Sequence, residues 1–150
     1  MSRARATLAF LQAEFEAIYA VEAPRVGDFL LGREGAIAAG AEPAGPEALL
    51  VRQEADGLSV GPFLDEAVPR GAAAADPHHP RPQLTRRSRL DQVACAAEGV
   101  SHFVYLATRA GAGRPVSLLE LEVQAEVDKF ALLLLHLWRR RLRRLSAALR

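Results

Sequence analysis

A mainly helical α+β fold, with one β-hairpin packed on a C-terminal antiparallel helix pair, is predicted by three features of this 150-residue chain. Ser117–Arg150 contains neither glycine nor proline and is rich in Leu, Ala, Glu and Arg, all good helix formers. Asp56-Gly57 is a pair favoured in tight hairpin turns, whose central residues need positive φ, and it stands between the apolar runs Leu49–Glu54 and Leu58–Leu64. Leu90–Ala110 carries apolar residues at helical spacing and is closed by Gly111 and Gly113, near enough to Ser117 for the last two helices to fold back on each other.

From Thr7 to about Ala20, Leu8, Leu11, Phe15 and Ile18 keep helical spacing, with Gln12, Glu14 and Glu16 on the opposite side. Pro24 is expected to end this helix, because a proline ring disfavours helical backbone in the residue before it. Val26–Leu31 reads as a short docking helix or strand, and residues 35–46, dominated by Ala, Gly and Pro, as a loop. Gly61-Pro62 marks the second strand as an edge strand or stops it early, since proline has no N–H for the ladder. Two strands alone are marginal in water, so the hairpin must lie on the helices or extend a sheet across a dimer. Arg70–Arg89 combines an alanine run, prolines, arginines and the pair His78-His79 with little to bury. A flexible loop is expected there, at about 69–89, within a single domain spanning 1–150.

Leu90–Ala110 places Val93, Ala97, Val100 and Val104 on one stripe, with Phe103 and Leu106 adjoining. Gly99 sits inside this helix at a cost of roughly 1 kcal/mol relative to alanine, so either a bend or the close approach of another backbone is expected. Ser117 and Glu120 have the spacing of a capping box at the start of the last helix. Along that helix Leu119, Val123, Val127, Phe130, Leu134 and Leu137 form one stripe, expected to cover Phe103 and Leu106. A second set, Leu118, Leu121, Ala125 and Leu132, falls on a different side. Between Phe130 and Trp138 the helix is apolar nearly all round, interrupted by His136, and should be enclosed by other elements or by a partner subunit.

Bulk composition narrows the function classes. Half of the residues are hydrophobic and a quarter charged, which is ordinary globular composition. Nineteen Lys+Arg against eighteen Asp+Glu give a net charge of +1, so no global field argues for nucleic acid or acidic partners. A single cysteine, Cys95, cannot close an internal disulfide, which suits a reducing compartment. Gln12, Glu14 and Glu16 interrupt any signal-peptide core, and no run approaches the ~18 apolar residues of a membrane span. The expected setting is cytoplasmic.

Three sets of residues carry chemistry. Glu98 and His102 are four apart on the penultimate helix, and Glu122, Glu126 and Lys129 share a side of the last one. If the helices are antiparallel neighbours, these sets can converge as a polar cluster capable of holding a divalent ion. Against that, the set has one histidine, no repeated Glu-x-x-His and no cysteine pair, and intrahelical Glu98–His102 and Glu126–Lys129 pairs account for the same residues. No cofactor or metal is assigned from sequence. There is also no G-x-S-x-G elbow, no glycine-rich phosphate loop and no zinc signature, and Cys95 stands two turns from His102.

The second set is the apolar surface of Phe130, Leu134, Leu137 and Trp138. The third is the run Arg139, Arg140, Arg141, Arg143 and Arg144, whose fixed charges suit phosphate or an anionic membrane surface. Together these favour a non-enzymatic protein-interaction or adaptor module working through its C-terminal helical pair, with itself or another protein as partner. A small metal-dependent or acid–base enzyme built on the Glu/His cluster comes second, and a nucleic-acid or anionic-surface binder third.

Overall fold

In the computed structural model, residues 3–55, 57–73 and 87–148 are described, and side chains over 5–55, 57–73, 90–139 and 141–142. The elements run α1 (Arg3–Tyr19), α2 (Val26–Phe29), α3 (Arg33–Ala38), β1 (Glu47–Glu54), β2 (Gly57–Leu64), α4 (Ala67–Ala72), α5 (Arg87–Gly111) and α6 (Leu118–Ala148). Helix α5 is the centre: α1, α4, α6 and both strands pack on it. The hairpin therefore lies on the C-terminal helical pair, as its inability to stand alone in water requires. Leu8, Leu11 and Phe15 of α1 meet Val93, Ala96, Ala97, Val100 and Phe103 of α5 in the core, joined by Leu64, Val68, Ala72 and Leu132. Each large side chain enclosed this way contributes roughly 1.5–3 kcal/mol.

Local chemistry sets the helix ends. At α6, Ser117 N–H donates to Glu120 Oε2 at 2.8 Å and Glu120 N–H to Ser117 Oγ at 3.2 Å, the reciprocal pair of a capping box. At the end of α5, Gly113 adopts a φ of 65°, and Arg114 N–H reaches Arg109 O at 2.9 Å, closing a Schellman motif. Helix α1 ends at Tyr19, beside the expected Ala20, but Pro24 is not what stops it. Ala20 takes a φ of 51° and Val21 N–H bonds Glu16 O at 3.2 Å, so the chain turns four residues before Pro24. Gln12, expected on the solvent side, is buried: its Oε1 accepts from Val26 N at 2.8 Å and its Nε2 donates to Pro24 O at 3.0 Å. A buried amide supplies the hydrogen bonds this irregular segment cannot make to itself. Helix α2 then docks Phe29 against Phe103, ring centroids 5.3 Å apart.

Three other expectations change. The segment 35–46 is not all loop, since α3 occupies Arg33–Ala38 and buries Ala36; alanine there acts as a helix former. Residues 67–72 form α4 with Val68, Pro69 and Ala72 buried, and α5 starts at Arg87, so helix occupies both ends of the expected 69–89 loop; residues 74–86 lie outside the described ones. In the hairpin, Glu54 pairs with Gly57, so Gly57 belongs to strand β2 and not to the turn. Strand β2 runs through Pro62 to Leu64. Pro62 O accepts from Leu31 N at 2.8 Å, so the proline's nitrogen also points away from β1 and no ladder bond is lost. Gly61 makes that contact possible, because a Cβ there would stand 2.5 Å from Leu31 Cδ1.

The largest correction concerns α6. Its inward face is Ala125, Asp128, Leu132 and His136, while Leu119, Val123, Val127, Phe130, Leu134 and Leu137 face outward. Of the second apolar set Ala125 and Leu132 turn inward while Leu118, at the helix start, is exposed, and the set expected to cover Phe103 and Leu106 is exposed throughout. Ala125 suits the inward role because a small side chain lets two helix axes approach. No helix among the described residues is long and apolar enough to cross a membrane.

Candidate functional site

Three elements converge on His102. Helix α5 stacks Glu98 and His102 one turn apart, α6 brings Glu122 across from them, and β1 contributes its first residue, Glu47. Gly99 opens the way for Glu47: a Cβ at that position would stand 3.1 Å from both Glu47 Cγ and Leu64 Cδ2. What approaches Gly99 is thus the hairpin's side chains and not, as expected, another backbone. Glu47 Oε1 lies 3.4 Å from His102 Nδ1, and Glu122 Oε1 lies 3.9 Å from Nε2. His102 is only 6 % exposed, and its Nε2 is buried without a hydrogen-bond partner. Glu98, His102 and Glu122 each offer one ligand atom within 4.8 Å of the others.

The electrostatics follow from this crowding. Burial alone would lower the pKa of His102, but its hydrogen bond to Glu47 and the charges of Glu47, Glu122 and Glu98 outweigh burial and raise it above the usual 6.5. Lys129 is bound to Glu98 Oε2 at 3.1 Å and to Glu126 Oε1 at 2.6 Å. Burial would lower its pKa as well, and the two carboxylates raise it instead. The expected Glu126–Lys129 intrahelical pair is present. Glu98 instead bonds across to α6, and the hydrogen-bonding carboxylate of His102 is Glu47 of the hairpin. Glu126 belongs to Lys129 and stands apart from the imidazole.

A second polar centre lies deeper between α1, α5 and α6. Asp128, 2 % exposed, accepts from Ser101 Oγ at 2.5 Å, from Gln124 Nε2 at 2.9 Å and from the Tyr19 hydroxyl. Burial, then the hydrogen bond to Asp128 and its charge, push the Tyr19 phenol up to about 12. These residues line one side of a cavity of about 210 Å³ completed by Val21, Val104, Tyr105, Thr108 and Arg109. Ser101 Oγ thereby donates to a carboxylate and not to a histidine. Cys95 is half-buried, and burial followed by the charges of Glu47 and Glu98 pushes its thiol up to about 11. A thiol raised so far is mostly protonated at neutral pH, the less nucleophilic form.

The apolar candidates on α6 are all exposed: Phe130 at 68 %, Leu134 at 54 %, Leu137 at 59 % and Trp138 at 57 %. Of the arginine run, Arg139 is spent on Glu14, with Nη1 2.5 Å from Oε2, while Arg141 is exposed. The side chains of Arg140, Arg143 and Arg144 lie outside the described ones. Two residues of the site had no sequence signal strong enough to find them. Glu47 is far from His102 in the chain, and nothing local ties them. Asp128 had a faint one, since Leu121, Ala125, Asp128, Leu132 and His136 keep helical spacing. No protein-family model, curated protein or solved structure matches this chain, so what its surfaces do rests on their own geometry.

Proposed function

We propose that this chain is a protein-interaction module that pairs with a second copy of itself through the outward face of α6, the two helices running antiparallel. One observation carries the reading: Leu119, Val123, Val127, Phe130, Leu134, Leu137 and Trp138 form a continuous apolar stripe that no element of the chain covers among the described residues. At half to three-quarters exposure they present on the order of 100 Å² each, a total beyond the largest patch of a typical monomer and close to the ~800 Å² per partner of a standard interface.

The spacing of the stripe also suits a helical partner. Val123, Val127, Phe130, Leu134 and Leu137 alternate steps of four and three, the 3.5-residue period of a coiled-coil seam. Set antiparallel about residue 132, Phe130 meets the partner's Leu134 and Val127 meets the partner's Leu137. Charge favours this orientation. Glu120 and Glu126 sit in the first half of the helix and Arg140, Arg141, Arg143 and Arg144 in the second, so antiparallel pairing sets acid against base whereas parallel pairing sets like against like. With each α5–α6 hairpin contributing two helices, the product is a four-helix arrangement. A cytoplasmic setting belongs to the same reading, supported by the single cysteine, Cys95, which has no second cysteine in the sequence to pair with.

Sedimentation equilibrium tests it. The chain is expected to be dimeric at micromolar concentration, with the emission of Trp138, the one tryptophan, shifted to the blue. Leu134→Glu is expected to give a folded monomer with red-shifted emission, because a charge at the centre of the seam costs upwards of 2 kcal/mol, about thirtyfold in affinity. Spin labels on Leu119→Cys in a Cys95→Ser background should stand roughly 40 Å apart if antiparallel and ~10 Å apart if parallel. A chain that remains monomeric at 100-fold higher concentration overturns the proposal, and a short label distance overturns the orientation.

A further inference from the structure

We infer that Glu98, His102 and Glu122 bind a single first-row divalent transition ion of zinc's class, with Glu47 orienting the imidazole. This site is independent of the assembly proposed for α6. Its ligand atoms lie within 4.8 Å of one another, and around one tetrahedral ion at ~2.1 Å they would stand about 3.4 Å apart. The 3.9 Å between His102 Nε2 and Glu122 Oε1 therefore needs a shift of about half an ångström, and the side chain of Glu122 is 54 % exposed and free to make it.

The buried nitrogen distinguishes this cluster from an ordinary group of surface carboxylates. A buried polar atom without a hydrogen-bond partner is rare in folded proteins, and Nε2 of His102 is such an atom, directed toward Glu122. Its other nitrogen, Nδ1, faces Glu47 Oε1 at 3.4 Å. With Nδ1–H donated to that carboxylate, the Nε2 lone pair is directed to the ligand side, the carboxylate–histidine–metal order of many metal centres. One imidazole with two carboxylates suits zinc-class ions. Magnesium and calcium prefer all-oxygen shells, and Cu(I) needs softer sulfur ligands. Lys129 is the resident competitor, holding Glu98 Oε2 at 3.1 Å and leaving the ion the other carboxylate oxygen.

Cobalt(II) is the probe, titrated into the full-length protein after removal of adventitious metal by a chelator, with zinc(II) calorimetry in parallel. The expected result is one equivalent per chain, with visible d–d bands that zinc abolishes. Glu122→Gln, on an exposed side chain that leaves the fold intact by circular dichroism, and His102→Gln should each weaken binding about a hundredfold, and Glu47→Gln about ten- to hundredfold. Lys129→Gln should tighten it severalfold, an outcome that a purely structural ion pair would not produce. No cobalt spectrum and no zinc heat at millimolar metal would overturn the inference. So would binding indifferent to Glu122→Gln but lost on replacing His78 and His79.

Discussion

Glu47, the first residue of the hairpin, reaches His102 of α5 across 55 positions of sequence, its Oε1 3.4 Å from Nδ1. The contact exists because Gly99, one turn before His102, has no side chain where Glu47 and Leu64 pass.

Gly99 should therefore respond to substitution unlike an ordinary helical glycine. Alanine in an open helix interior gains roughly 1 kcal/mol over glycine; at Gly99 the new Cβ would lie 3.1 Å from two side-chain carbons, and that gain should vanish. Gly99→Val should lose about 2 kcal/mol or more through overpacking. Urea unfolding of both variants measures this, and a stabilised valine variant would contradict the packing of hairpin on α5.

Cys95 offers a chemical probe of the same neighbourhood. With its thiol pushed up to about 11 by burial and by Glu47 and Glu98, its thiolate fraction at pH 8 is about a hundredfold below that of a free cysteine, and reaction with a disulfide reagent should slow in proportion. Glu47→Gln should speed that reaction by removing a negative charge. Free-thiol rates in the native protein would mean that the cysteine is not enclosed.

Asp128 is the buried carboxylate on which α1, α5 and α6 meet. Asp128→Ala strips the acceptor from Ser101, which is 1 % exposed, and from Gln124 and Tyr19. Leaving a buried hydroxyl unsatisfied and opening a cavity should cost about 2–4 kcal/mol in urea unfolding, with Asp128→Asn milder.

Tyr19 predicts an alkaline limit. Its phenol is raised from 10.0 to about 12 in the folded chain, so the proton is held more tightly in the native state than in the unfolded one. The contribution to stability is fully present below pH 10 and is lost as pH rises through 12. Between those limits the native chain should lose stability more steeply than Tyr19→Phe. Equal slopes would show that the phenol titrates normally.

Much of the fold was legible because it is written locally. Ser117 with Glu120 starts α6 and Gly113 ends α5, each through hydrogen bonds spanning only a few residues. The hairpin was visible from its turn, but its strands pair two residues away from the alignment an Asp56-Gly57 turn would give, since a short polar turn admits neighbouring alignments that the packing of β2 against Leu31 resolves. Helices α3 and α4 were missed, being too short for periodicity and hidden in Ala- and Gly-rich sequence.

The site was legible only in part. Glu98 and His102 share a helix face by spacing alone, and Glu122 joins them once α5 and α6 are antiparallel. Glu47 could not be foreseen, because no local rule connects a strand residue to a helix so far along the chain.

By itself the sequence determined that α5 and α6 are helices, where α5 ends and α6 begins, and that α6 carries apolar residues on two sides. Tertiary structure alone decided which side turns inward. Both stripes have helical periodicity, and the choice fell to fit: Ala125 and Leu132 pack inward while the bulkier Phe130 and Trp138 remain outside. The same packing delivers Glu47 to His102, because capping and periodicity act over a few residues, whereas burial is settled by surfaces that meet only when the whole chain has folded.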